Sequence, residues 1–125
     1  MFKRIDHVEI TPRDMEKTIS FYTDILGFTM KERQAIDMPP IRGIAYMTLG
    51  DTMIEFLDVV NPESAPGPWA VGYKGIAIEV ENMDEAVAFL NGKGVDIVWG
   101  PMDIGGPIRA EIRDPDGLTI ELRQW

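Results

Sequence analysis

Apolar and polar residues alternate along Ile5-Asp6-His7-Val8-Glu9-Ile10 and again along Gly75-Ile76-Ala77-Ile78-Glu79-Val80, which predicts a strand at each place. Behind each strand the period changes. Met15, Ile19 and Tyr22 recur at helical spacing in the first segment, and Met83, Val87 and Leu90 do so in the second. Asp14 and Asn82 stand where a helix needs an N-cap, acidic residues fill the first turns, and Gly27 and Gly94 mark the stops. Moving the sequence by 68 positions lays Asp14 to Phe21 on Asn82 to Phe89 without a gap. Three more strands are predicted behind each helix, at about 28 to 33, 43 to 49 and 52 to 58, then at about 96 to 99, 107 to 113 and 118 to 123. Ile54-Glu55-Phe56 and Ile120-Glu121-Leu122 correspond at an offset of 66, each behind a Gly/Asp turn.

These patterns predict an α+β fold. It is one domain over residues 1–125, made of two βαβββ repeats, about 1–60 and 73–125. The segment from Asn61 to Gly72, with Pro62, Pro66 and Pro68, joins them as a Pro-rich linker. Period two assigns Val8, Ile10, Ile54, Phe56, Ile76, Ile78, Val80, Leu118, Ile120 and Leu122 to the face that meets the helices. The opposite face receives His7, Glu9, Met53, Glu55, Leu57, Gly75, Ala77, Glu79, Thr119, Glu121 and Arg123. That set is too polar for a packed core, so the sheets are expected to curve around a polar cleft suited to a small molecule. Met38-Pro39-Pro40-Ile41-Arg42 and the linker are candidate lids over it.

Composition narrows the chemistry. A net charge of −9 repels polyphosphate, so nucleic-acid binding is not expected. No apolar run reaches the ~20 residues a bilayer needs, and no membrane association is expected. With no cysteine the chain has no disulfide framework, thiolate metal site or cysteine nucleophile. The N-terminal residues alternate like a strand and lack the apolar segment of a secretory signal, so the expected compartment is the cytoplasm. His7 is the single histidine.

The motifs, taken in order, are Ile5-Asp6-His7-Val8, Ser20-Phe21-Tyr22 through Leu26-Gly27-Phe28, Gly50-Asp51-Thr52-Met53-Ile54-Glu55, and Asp114-Pro115-Asp116-Gly117 before Ile120-Glu121-Leu122. In this order, on a visible duplication, the whole chain resembles the glyoxalase / bleomycin-resistance / extradiol-dioxygenase (vicinal-oxygen-chelate) superfamily. In metal-dependent members such as glyoxalase I, the first and last strands of each half supply the ligands. That resemblance places ligands at His7, Glu55 and Glu121 and puts glycine, Gly75, at the fourth position. A histidine introduced at 75 is expected to restore the set. The resemblance also implies a homodimer and a divalent ion (Mn, Mg, Fe, Ni, Co or Zn), or no cofactor if the site is degenerate.

Two functional readings follow from the resemblance. One is a metal-dependent lyase or isomerase, similar to lactoylglutathione lyase or methylmalonyl-CoA epimerase, working through an enolate on a small oxo or thioester substrate. Glu121 would be its catalytic base, with a pKa raised by burial and by Glu55. The other is a metal-free binder of the bleomycin-resistance kind, holding a cationic aromatic ligand against Trp69, Trp99 and Trp125. Dioxygenase chemistry fits less well, since its iron site takes two histidines. Arg109, Glu111 and Arg113 alternate on one strand and, with Arg123, are candidate substrate-binding residues that suit a carboxylate or phosphate. On the residues alone, His7, Glu55 and Glu121 read equally as hydrogen-bonded polar groups of a wet face, and the arginines as charges on a solvated edge strand.

Overall fold

The computed structural model describes residues 1–125. It falls into two compact units, Met1–Ser64 and Ala65–Trp125. The first contains β1 (Val8–Ile10), α1 (Met15–Ser20), β2 (Thr29–Met38), β3 (Ile41–Leu49) and β4 (Thr52–Val59). Its four-stranded mixed sheet has the order β1-β4-β3-β2, with β1 parallel to β4 and the other pairs antiparallel. The second contains β5 (Gly75–Glu79), α2 (Met83–Gly92), β6 (Trp99–Asp103), β7 (Ile108–Arg113) and β8 (Thr119–Gln124) in the matching order β5-β8-β7-β6. The chain is thus α+β, two βαβββ halves with one four-stranded sheet each.

Both helices begin on the expected caps. Asp14 Oδ1 accepts from the Lys17 amide at 3.1 Å and Asn82 Oδ1 from the Glu85 amide at 3.0 Å, each satisfying a donor that the helix leaves unpaired. The first helix widens into a π-type turn over Phe21–Ile25, closed by the Leu26 amide on the Phe21 carbonyl. Tyr22 is buried there, edge-on to Phe28 and Phe56 with ring centroids 5.5 and 5.0 Å away. Met15, Ile19, Ala45, Met47 and Ile54 complete that core, while Met83, Leu90, Ala110, Ile112, Ile120 and Leu122 form the core of the second unit.

Several expectations change. Strand β1 starts only at Val8, and Val8 is 39 % exposed because β1 is an edge strand, paired on one side. Strand β6 lies at 99–103, three residues later than expected. Pro101 lies within it, which an edge strand tolerates because the missing N–H faces no partner, and Gly100 at φ +74 opens a bulge between Trp99 and Met102. The proposed lid at Met38–Arg42 is the end of the β2–β3 hairpin. Met38 pairs with Ile41, the Val60 amide bonds the Pro40 carbonyl at 2.9 Å, and Arg42 pairs with Asp58 at 3.1 Å.

Candidate functional site

The parallel pairing of β1 with β4 sets Glu9 beside Glu55, and the antiparallel pairing of β3 with β4 sets Tyr46 on the other side of Glu55. His7, two residues before Glu9, shares its face by strand periodicity. Three side chains thereby converge on one point. His7 Nε2 is 2.9 Å from Glu55 Oε2 and 3.8 Å from Glu9 Oε1, and the three potential ligand atoms lie within 4.8 Å of one another. Asp6 Oδ2 holds the other ring nitrogen, Nδ1, at 2.8 Å, which orients the imidazole as an outer-shell carboxylate orients a metal-binding histidine. The hydrogen bond that His7 Nδ1 donates to Asp6 is the largest influence raising the His7 pKa; partial burial opposes it, and the charges of Glu55, Asp6 and Glu9 add to it. Tyr46 stands edge-on to His7 at 5.7 Å. Burial, then the charge and hydrogen bond of Glu55, push its phenol up, so it is a neutral donor to that carboxylate. A hollow of about 310 Å³ beside His7 is lined by Arg4, Ile5, Asp6, Asp51, Thr52 and Met53.

An imidazole and two carboxylates of this spacing fit a divalent cation. An octahedral ion with bonds near 2.1 Å has cis ligands about 3.0 Å apart and trans ligands about 4.2 Å apart. The 2.9 Å edge already matches, and Glu9, with a side chain 61 % exposed, is free to turn inward. Glu55 is only 9 % exposed at its side chain, and a buried carboxylate needs such partners.

The corresponding Glu121 of the second unit has a different environment. Its cross-strand neighbour on β7 is Glu111, and like charges placed opposite one another repel. Three cations offset them. Arg109 reaches Glu121 Oε2 at 3.0 Å and Glu111 Oε1 at 2.8 Å, Arg123 reaches Glu121 Oε1 at 2.5 Å, and Lys74 lies 3.5 Å from Glu111. Burial works to raise the Glu121 pKa, but the hydrogen bonds and charges of Arg109 and Arg123 outweigh it and hold the carboxyl below its ordinary value. The expected upward shift is therefore corrected. Strand β7 is also an interior strand of its sheet, between β8 and β6, and not an edge. Arg113 stands apart from the network, donating to its neighbour's carbonyl at Ile112. Each tryptophan carries one of the chain's own cations: Lys74 over Trp69 at 5.1 Å, Arg109 over Trp99 at 4.9 Å and Arg123 over Trp125 at 5.0 Å.

Gly75 is no vacant ligand position. A Cβ built on it would sit 2.4 Å from the Thr119 carbonyl oxygen, a backbone atom of the paired strand. A histidine at 75 would break that pairing before it could coordinate, which corrects the expectation that it restores the set. Sequence reasoning missed Glu9, Asp6, Tyr46 and Lys74 as partners. Only Glu9 had a signal, its period-two relation to His7.

Residues 4–122 match the Glyoxalase/Bleomycin resistance protein/Dioxygenase superfamily, and the chain belongs to it. Human mitochondrial methylmalonyl-CoA epimerase is 30% identical over 97% of this chain and 73% of its own length. Lactoylglutathione lyase GLX1 of Arabidopsis thaliana is 27% identical over 98% of this chain, which spans only 44% of that relative. Among solved structures, a glyoxalase family protein from Enterococcus faecalis superposes with a TM-score of 0.84 at 30% identity, covering 98% of each chain. No helix is long and apolar enough to cross a membrane.

Proposed function

We propose that this chain is a lyase or isomerase that moves a proton on the carbon beside the carbonyl of a small oxo compound or acyl thioester, with a divalent ion held at His7 and Glu55. The observation that carries the reading is the aim of the sole imidazole: Asp6 fixes Nδ1, so that Nε2 faces the buried Glu55 carboxylate at 2.9 Å. Kinship with an epimerase and a lactoylglutathione lyase supports the reaction class. When bound, a divalent ion supplies Lewis acidity to a substrate carbonyl. We assign the proton transfer to Glu121, which Arg109 and Arg123 keep ionised and therefore able to accept a proton. The accepted proton returns to the adjacent carbon in an isomerisation or to the opposite face of the same carbon in an epimerisation. A substrate carboxylate or phosphate would compete with Glu121 for Arg109 and Arg123, which releases the base as the substrate binds. We also propose a homodimer in the cytoplasm; the open edges of β1 and β5 and the exposed Phe2 and Ile5 support an association between copies.

The test is deuterium uptake from D₂O into candidate hemithioacetals and 2-substituted acyl thioesters, with Mn²⁺, Co²⁺, Ni²⁺ or Zn²⁺ supplied. Uptake that depends on metal, and that is lost in His7→Ala and Glu121→Gln, is expected. Turnover unchanged in Glu121→Gln would remove Glu121 as the base. For a metal-free binder of cationic aromatics, each tryptophan already has one of the chain's own cations over it, with which such a ligand would compete.

A further inference from the structure

We infer that Glu9 is the third protein ligand of the ion, so that the metal centre is built entirely from the first repeat as His7, Glu9 and Glu55. This rests on the metal reading above and replaces the ligand set expected from the duplication, in which Glu121 is the third ligand. Three observations carry it. Glu9 and Glu55 are register partners on adjacent strands, so their side chains leave the same face side by side. Both point at one imidazole nitrogen, 3.8 and 2.9 Å away, while the other ring nitrogen is engaged by Asp6. Two carboxylates and an imidazole nitrogen aimed at one point repel unless a cation lies among them, and a divalent ion supplies more charge there than a proton does.

The second repeat, by contrast, has no free ligand at the two positions equivalent to His7 and Glu55. Glu121 is engaged by two guanidinium groups, and the position equivalent to His7 is a glycine pressed against a backbone carbonyl. The resulting donor set of one nitrogen and two carboxylates, with open positions on the exposed side of Glu9, suits a hard ion that keeps several waters, Mn²⁺ or Mg²⁺ above Zn²⁺.

The experiment is Mn²⁺ titration of the full chain followed by electron paramagnetic resonance of the free ion. Wild type, His7→Ala, Glu9→Gln, Glu121→Gln and Glu9→His are compared, each checked for folding by circular dichroism. Glu9→Gln is expected to weaken Mn²⁺ binding at least about tenfold, a loss that removing even an outer-shell partner produces. Glu121→Gln should stay within about twofold of wild type on the same expectation. Glu9→His adds a second imidazole and should tighten Ni²⁺ relative to Mn²⁺, a gain that misfolding cannot imitate. If Glu9→Gln binds like wild type while His7→Ala and Glu121→Gln lose the ion, the inference is overturned and the metal reading survives. Loss in both glutamine variants would overturn confinement of the centre to the first repeat. No ion bound by wild type would overturn the inference together with the reading beneath it.

Discussion

One methyl group placed on Gly75 tests the account of the absent ligand more directly than any activity. Gly75 opens β5 and is the register partner of Thr119 on β8. The added Cβ would lie 2.4 Å from the Thr119 carbonyl oxygen, 3.0 Å from its Cβ and 3.1 Å from its carbonyl carbon. Carbon and oxygen in adjacent strands normally approach to about 3.3 Å. The strands must therefore part by roughly 0.9 Å at this point, or the first residue of β5 must leave the ladder. The atom in the way is backbone and cannot rotate aside. Overpacking of this kind costs about 1–3 kcal/mol, and detachment of the strand's first residue limits the upper end. For a chain of this size each kcal/mol moves Tm by roughly 3–5 °C, so Gly75→Ala is expected to melt about 3–15 °C below wild type. Gly43→Ala is the control. Its Cβ would meet Gln34 O at 3.4 Å and Asp58 Cβ at 3.7 Å, ordinary contacts, and replacing a strand glycine there gains up to about 1 kcal/mol. Urea unfolding followed by circular dichroism measures both. A Gly75→Ala chain within about 0.5 kcal/mol of wild type, the range of an inconsequential surface change, would refute the close-approach argument and make position 75 available to a ligand.

Three further outcomes are expected. Thr18 Oγ1 is buried without a hydrogen-bond partner, and the corresponding residue of the second repeat is Ala86; Thr18→Val should stabilise the chain by about 1 kcal/mol in the same urea assay, and a loss would show that the hydroxyl is satisfied. Because Glu121 is held below its ordinary value of 4.5, its stabilising contribution is present above that pH and is lost as pH falls through the lower folded value. Arg109→Gln should flatten the acid limb of the stability curve, and an unchanged limb would count against the clamp. The single histidine should give one C2–H resonance whose midpoint lies above 6.5, and Asp6→Asn should lower it. The stability that goes with this raised value is present below 6.5 and disappears as pH rises through the folded midpoint. A midpoint at or below 6.5 would contradict the arrangement around His7.

The duplication, the caps at Asp14 and Asn82 and the equivalent strand positions of Glu55 and Glu121 were legible because periodicity and capping are local properties. Strand pairing is not local. Glu111 and Glu121 both belonged to the polar face, but only the register shows that they sit opposite one another and that Arg109 and Arg123 are there to neutralise them. The same limit hid Tyr46, which becomes a partner of Glu55 through the β3–β4 pairing. Gly75 read as a lost ligand because sequence shows the missing side chain and not the carbonyl that forbids one. The place of β6 was hidden for the same reason, since a strand that carries Pro101 is possible only at an edge, and edges are set by pairing.

The two repeats place a glutamate at equivalent strand positions and give it opposite surroundings. Glu55 has Glu9 on one side and the phenol of Tyr46 on the other, so its neighbours add negative charge and a neutral donor, and the site attracts a cation. Glu121 has Ala77 on one side and Glu111 on the other, with Arg109, Arg123 and Lys74 drawn in to balance the pair. Such a pair is already satisfied and does not require an ion, but its cations are exchangeable: an anionic ligand that takes Arg109 and Arg123 would leave Glu121 beside Glu111 with Lys74 alone to balance the two, and would raise the affinity of Glu121 for a proton. On the proposed reading the two repeats divide the work, with cation capture in the first repeat and anion recognition, coupled to a proton acceptor, in the second. The division makes the two perturbations separable: Glu9→Gln should act on metal affinity, and Arg109→Gln on the affinity for an anionic ligand.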